Sequence, residues 1–234
     1  MNDLIETLPV VALRGMTILP GMVIHFDVSR ERSVKAIEQA MLKEQRIFLV
    51  TQKDVQVEQP GPEDLYRIGT IASVKQVIKL PHNVIRVLAE GLEKAELSHF
   101  SQDGEFLEAE VIRFESEDAL ENLDPAYGEA MVRNLSETFH LYCRESGKVG
   151  KELERQITET ADLEKLMKEI MINLPLYYED KQKLLETVTL SDRYELLCAQ
   201  MNKEIEVLRF KRELQEKVKA RVDKNQREYL LREQ

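Results

Sequence analysis

An α+β fold is predicted: a β-rich N-terminal domain carrying one helix, then a small helical bundle, then a long C-terminal helix. Three observations lead there. Hydrophobic alternation with a period of two runs through the first half of the 234 residues and fades near residue 117. Helical periodicity then takes over, and Leu163, Leu166, Met167, Ile170 and Met171 stand at i, i+3, i+4, i+7 and i+8. Finally, no glycine or proline interrupts residues 190–234. Roughly forty residues of helix would extend about 60 Å at 1.5 Å per residue. The expected sections are therefore 1–117, 118–189 and 190–234.

The first section opens with LPVVAL (8–13), a short apolar run ended by Arg14-Gly15. MVIHFDV (22–28) sets Met22, Ile24, Phe26 and Val28 against Val23, His25 and Asp27, as a half-buried strand does. Between them, RGMTILPGM has Gly15 and Pro20-Gly21 as turn punctuation around an apolar tip. A helix opens at 29–33, with Val34, Ile37, Ala40 and Met41 on one face. RIFLVTQ (46–52) reads as a strand, and 55–66 as a loop around Pro60-Gly61-Pro62. Residues 68–80, 83–97 and 105–115 are rich in β-branched side chains and separated by turn residues, which predicts three strands joined by hairpins. Gly91, inside the second, marks a bulge or bend.

In the second section, Ala130, Leu135, Phe139 and Tyr142 predict an amphipathic helix ending at Gly147. Thr160-Ala161-Asp162 leads into LEKLMKEIMINL. Pro175 permits a turn or a first helical position before YYEDKQKLLE. In the third section, Tyr194, Leu197, Met201, Ile205 and Leu208 keep spacings of three and four, and Leu214, Val218 and Val222 carry the stripe on more thinly. A helix of this length suggests a coiled-coil arm or a connector. It stops in mid-pattern at REYLLREQ without a capping residue, so the natural chain is expected to continue.

The charge balance narrows the function. A net charge of −10 disfavours a dedicated nucleic-acid binder, which needs a basic footprint. The charge is uneven: residues 101–130 hold ten acids against one base, and 209–228 hold eight bases against four acids. The N-terminus carries acids where a signal peptide has Lys or Arg, and no stretch approaches the ~18 consecutive apolar residues of a membrane helix. A cytoplasmic protein without membrane partners is expected. The two cysteines, Cys143 and Cys198, are isolated and read as small core residues.

Catalytic machinery is not found in the sequence. There is no phosphate loop of the GxxxxGKS type; Gly147-Lys148-Val149-Gly150-Lys151 lacks its first glycine and its hydroxyl, and reads as an interhelical loop. There is no HExxH and no GxSxG. The four histidines, His25, His82, His99 and His140, are dispersed, so no metal site, cofactor site or catalytic residue is expected in these 234 residues.

Residues 8–41 resemble the opening of Lon-family ATP-dependent proteases, where an LPLLPLR-type strand leads through a P-x-M loop to a second strand, R-x-x-S and an amphipathic helix. The corresponding marks are Leu8-Pro9, Leu13-Arg14-Gly15, Pro20-Gly21-Met22, Arg30 with Ser33, and Ala36 with Ala40-Met41. Phe48-Leu49, Gly69-Thr70 and Arg86-Val87-Leu88-Ala89-Glu90-Gly91 fit the family's "GT … RVLVEG" strands. Lys217-Val218-Lys219 and the run from Asn225 through Arg227, Glu228, Tyr229, Leu230 and Leu231 to Gln234 resemble the helix that precedes the ATPase module. Asn225 and Leu230 depart from the commoner Ser and Tyr.

The resemblance implies a parent that is a cytoplasmic, hexameric, ATP- and magnesium-dependent serine endopeptidase of protein quality control, with its ATPase and proteolytic residues beyond this chain. This part would recognise unfolded or damaged protein substrates and help to order the ring, as a homo-oligomer that is a hexamer in the parent, with monomer, dimer and hexamer all open for this part alone. The alternative is a stand-alone ligand- or nucleic-acid-binding module. DNA could touch the basic tail, but the interspersed acids favour a salt-bridged face.

Recognition of unfolded chains calls for an exposed apolar patch. The first loop supplies Met16, Ile18, Leu19, Pro20 and Met22, with adaptable methionines, unless these side chains tuck into the sheet. A second candidate is the corner at 174–178, with Leu176, Tyr177 and Tyr178, unless it is interhelix packing. For oligomerisation or connection the candidates are Tyr194, Leu197, Met201, Ile205 and Leu208.

Overall fold

The computed structural model describes residues 4–101, 103–115 and 122–233. Strands β1 (Ile5–Leu13), β2 (Val23–Val28), β3 (Arg46–Thr51), β4 (Ile68–Leu80), β5 (Val84–Ser101) and β6 (Glu108–Arg113) form one sheet. Helices α1 (Glu31–Met41), α2 (Pro125–Ser146), α3 (Lys151–Thr158), α4 (Leu163–Asn173), α5 (Tyr178–Glu186) and α6 (Leu190–Arg232) complete the chain. The mixed architecture expected from the sequence is the one observed.

The strand order is β2-β5-β4-β3-β1-β6, and β6 also pairs with β5. That last pairing closes β5, β4, β3, β1 and β6 into a barrel, which removes free edges from those five strands. β5 can serve both roles because it is 18 residues long. Its first part pairs with β2, as in Phe26↔Val87, and its last part with β6, as in Leu97↔Val111. Not every neighbour is antiparallel: β1 runs parallel to β3, with Val10 opposite Phe48, because β2 and α1 intervene between them in the chain. Inward side chains, including Leu8, Val10, Phe48, Val50, Ile71 and Val111, fill the barrel. α1 buries Ser33, Ala36, Ile37 and Ala40, whereas Met41, expected on the same face, lies at the exposed end of the helix.

The contacts divide the chain into two compact units: Met1–Asn122 with Met171–Arg193, and Leu123–Ile170 with Tyr194–Gln234. The expected boundary at 117/118 lies outside the described residues. The expected second section does not stay together, because α5 belongs with the barrel. Gln182, buried on α5, donates from Nε2 to the carbonyl of Ile68 at 2.9 Å, and Lys94 on β5 donates to the carbonyl of Thr187 at 2.6 Å.

In the other unit, α2 starts at Asp124, whose carboxylate accepts from the N–H groups of Ala126 and Tyr127, and ends at Gly147 with φ +65°. Its inward residues are Met131, Leu135, Phe139, Tyr142 and Cys143; Ala130, expected inside, is exposed one position away from Met131. All five residues of the α4 stripe are buried. The α3 helix was not expected from the sequence: Ile157 is its only buried residue, too little for a visible stripe.

Candidate functional site

The first loop joins β1 to β2, and every element around it holds it inward. Thr51 donates to the carbonyl of Met16 at 2.7 Å, and Thr70 to that of Ile18 at 2.6 Å. The Gly21 N–H donates to the Gly91 carbonyl and the Gly91 N–H to the Met22 carbonyl, both at 2.8 Å. A side chain at Gly91 would put its Cβ 2.5 Å from the Leu19 carbonyl oxygen, so glycine there permits the close approach. The strand register also shifts beside it, between Ile71/Ala72 on β4, in keeping with the expected bulge. Ile18, Leu19 and Met22 are consequently 2%, 1% and 8% exposed. The expectation of an exposed apolar tip is corrected for these three: they plug the sheet. Met16 and Pro20 remain half-buried at the rim.

The corner at 174–178 is mixed. Leu174 and Leu176 are buried, Tyr178 is half-buried, and Tyr177 is 78% exposed. The two candidate segments, more than 150 residues apart in sequence, meet. The Thr17 hydroxyl lies 3.2 Å from the Tyr178 carbonyl and 2.9 Å from the Thr51 hydroxyl, with Gln182 Oε1 at 3.5 Å. Buried hydroxyl and amide groups of this kind need partners, and here they find them in one another. Of the candidates in these two segments, Tyr177 is exposed and Met16, Pro20 and Tyr178 are half-buried.

The connector candidates separate into two groups. Leu197, Met201 and Ile205 are buried within their unit; Tyr194 and Leu208 are half-buried. The Asn134 amide donates to the Tyr194 hydroxyl at 2.8 Å. Leu197, Met201 and Ile205, expected as oligomerisation or connector positions, are thus occupied in their own bundle. The unoccupied face lies further on. Val207, Phe210, Leu214, Val218 and Val222 are all exposed at spacings of three and four. Val207 and Phe210 were missed because they start a second stripe on a different side of the helix from Ile205 and Leu208. Beside that stripe, Glu145 of α2 pairs with Arg209 at 3.4 Å and with Arg212. Lys217 pairs with Glu213 at 2.6 Å, and Lys224 with Glu228 at 3.9 Å.

Burial pushes the Cys143 thiol up to about 12, and also raises that of Cys198, which leaves neither as a ready nucleophile. Among the described residues no group of three or more His, Cys, Asp or Glu side chains could hold a metal ion, and no helix is long and apolar enough to cross a membrane.

Residues 7–203 match the family model of the ATP-dependent protease La (LON) substrate-binding domain. A Lon protease of Lachnoclostridium phytofermentans is 49% identical over 234 residues, which is 100% of this chain and 29% of that protein. A Lon protease of Brevibacillus choshinensis is 40% identical over 227 residues, covering 97% of this chain and 29% of that protein. The chain therefore spans less than a third of the length of these relatives. The solved N-terminal domain of a Mycobacterium avium complex Lon protease superimposes with a TM-score of 0.65 at 18% identity, covering 84% of this chain and 98% of that one. The N-terminal domain protein from Xanthomonas campestris gives 0.55, also at 18% identity, with 83% of this chain covered and 98% of that one. At that identity the structures speak for a common fold.

Proposed function

The chain belongs to the Lon substrate-binding-domain family, and on that premise we propose that it captures unfolded polypeptide and orders the subunits of an ATP-dependent serine protease. The observation that carries this reading is the convergence of the first loop with the 174–178 corner through Thr17 and Tyr178. Met16, Pro20 and Tyr177 form the contact surface, with Ile18, Leu19, Met22, Leu176 and Tyr178 as its support. Exposed apolar side chains on a fixed footing suit weak, sequence-tolerant contacts, and repetition around a ring multiplies them by avidity.

Assembly runs through α6. An exposed apolar stripe flanked by Lys and Glu is the pattern of a helix that pairs with another. The same ion pairs engage four of the eight basic side chains of the tail, Arg209, Arg212, Lys217 and Lys224, which supports protein contact rather than contact with nucleic-acid phosphates. The 234 residues catalyse nothing themselves; ATP, magnesium and the protease centre belong to the cytoplasmic, hexameric parent.

A labelled, permanently unfolded polypeptide, titrated with the chain and followed by fluorescence anisotropy, tests the contact surface. The variant is Met16→Ser with Tyr177→Ser, both at accessible positions, so the fold is kept. Saturable binding that weakens at least several-fold in the variant, with the folded form of the polypeptide unbound, is expected. Equal binding by both proteins overturns the proposed surface. Hydrolysis of ATP or peptide by the chain alone would overturn the non-catalytic reading.

A further inference from the structure

Two cavities in the barrel unit meet at the start of α1. One, of about 490 Å³, and another, of about 570 Å³, share four lining residues: Arg14, Ser29, Arg30 and Ser33. Arg14 follows the last residue of β1, and Arg30 is the N-cap position of α1. Both guanidinium groups turn to the same acceptor: Arg30 Nη2 donates to the Val57 carbonyl at 3.2 Å and Arg14 Nη2 to it at 3.4 Å. Arg30 also donates to Gln52 Oε1 at 2.7 Å. Every one of these acceptors is neutral.

Acids nearby are otherwise engaged or remote. Asp27, on the wall of the first cavity, is in an ion pair with Arg86 at 2.8 Å. Glu31, on the wall of the second, pairs with Lys35 at 3.2 Å. Glu58 lines the second cavity and is exposed, but among the described residues no ion pair joins it to Arg14 or Arg30. Burial, and after it the charge of Arg14, hold Arg30 below its ordinary pKa, with Glu58 opposing them in part. Two like charges are kept together without a counterion in contact.

The same place offers further donors. α1 is 11 residues long, and no side chain caps its first turn. The open N–H end of a helix carries partial positive charge and attracts anions. Ser33 gives an independent sign of a ligand. It is 4% exposed and lines both cavities, yet among the described residues its hydroxyl has no hydrogen-bond partner. The hydroxyl is not sealed in the core but open to the two cavities, where a bound group can meet it.

We propose that this junction binds a phosphate group. A phosphate monoester or inorganic phosphate brings a charge of about −1.5 to −2 and three acceptor oxygens. That matches two guanidinium groups, a serine hydroxyl and a helix N-terminus. A carboxylate, with one charge, would leave one arginine uncompensated. The site lies apart from the proposed polypeptide surface and stands or falls separately from it.

Inorganic phosphate, titrated into the ¹⁵N-labelled 234-residue chain at constant ionic strength, provides the test by amide chemical shifts. Saturable shifts at Glu31, Arg32 and Ser33 are expected. Arg14→Gln removes an exposed charge and Ser33→Ala only a hydroxyl, so both variants keep the fold and the remaining spectrum. Binding should weaken about tenfold in Arg14→Gln, one charge-assisted contact, and about threefold in Ser33→Ala, one neutral contact. A phosphoserine peptide and its unphosphorylated twin identify the source. Tighter binding of the phosphopeptide than of inorganic phosphate assigns the site to phosphorylated polypeptide; equal binding assigns it to the free ion. Non-saturating shifts, acetate binding as well as phosphate, or variants that bind like the parent chain would each overturn the proposal.

Discussion

Gly91 and the three buried loop residues depend on one another. Its N–H and carbonyl clasp Met22 and Gly21, and its missing side chain lets the Leu19 carbonyl approach. Gly91→Ala should therefore cost about 1–3 kcal/mol in urea unfolding, the usual penalty of overpacking. Gly104→Ala, whose Cβ would meet nothing closer than 3.7 Å, should change little. An equal loss in both would mean that the loop is not clasped as described. Such burial was not legible in the sequence. The alternation of β2 and the turn at Pro20-Gly21 could be read directly, but the partners Thr51, Thr70 and Gly91 lie 35 or more residues from the atoms they bind. Cys143 gives a pH test at the same scale. Its folded pKa of about 12 lies above the ordinary value of 9.0, so the folded thiol stays protonated where the unfolded one ionises. Stability from this group is intact below pH 9 and falls as pH rises from there towards 12, by about 1.4 kcal/mol per unit. Urea unfolding at pH 8, 9.5 and 10.5 should give a steeper decline for the parent chain than for Cys143→Ala. Parallel declines would refute the burial of the thiol.

Helices differ in how plainly they declare themselves. The α4 stripe was legible because all five of its apolar positions, at spacings of three and four, are buried. α3 was silent because a single residue, Ile157, anchors it while its charged side chains pair with one another, as Arg155 does with Glu152 at 2.8 Å. α6 could be read in length but not in occupancy. Its first part is packed through Leu197, Met201 and Ile205, and every residue from 209 to 233 is exposed. Leu197→Ala should cost about 2–5 kcal/mol, as truncation of a core leucine does. Leu214→Ala should stay within about 0.5 kcal/mol in the dissociated chain. In sedimentation velocity the order should reverse: Leu214→Ser with Val218→Ser should shift a concentration-dependent assembly towards monomer. Assembly that is unaffected by this pair would leave the stripe without its proposed role.

At the scale of the molecule, sequence order and structural partition part company. Three consecutive sections were expected, but the contacts assemble two units from interleaved segments, with the divisions inside α4 after Ile170 and inside α6 after Arg193. Periodicity identifies an element and its buried face, not the partner that covers that face. α5 illustrates the limit: its amphipathic run could be read, whereas its attachment to the barrel rests on Gln182 reaching Ile68 and on Lys94 reaching Thr187. Cooperative units of this kind exchange backbone protons together. In native-state hydrogen exchange, the amides of α5 should open with the free energy of β3 and β4 rather than with that of α2. Gln182→Ala should then lower protection in α5 first, because it leaves the Ile68 carbonyl and the Thr17 hydroxyl each short of a partner. Exchange of α5 in step with α2 would instead assign 171–193 to the helical unit, and would remove the fixed footing on which Met16, Pro20 and Tyr177 are proposed to meet an unfolded chain.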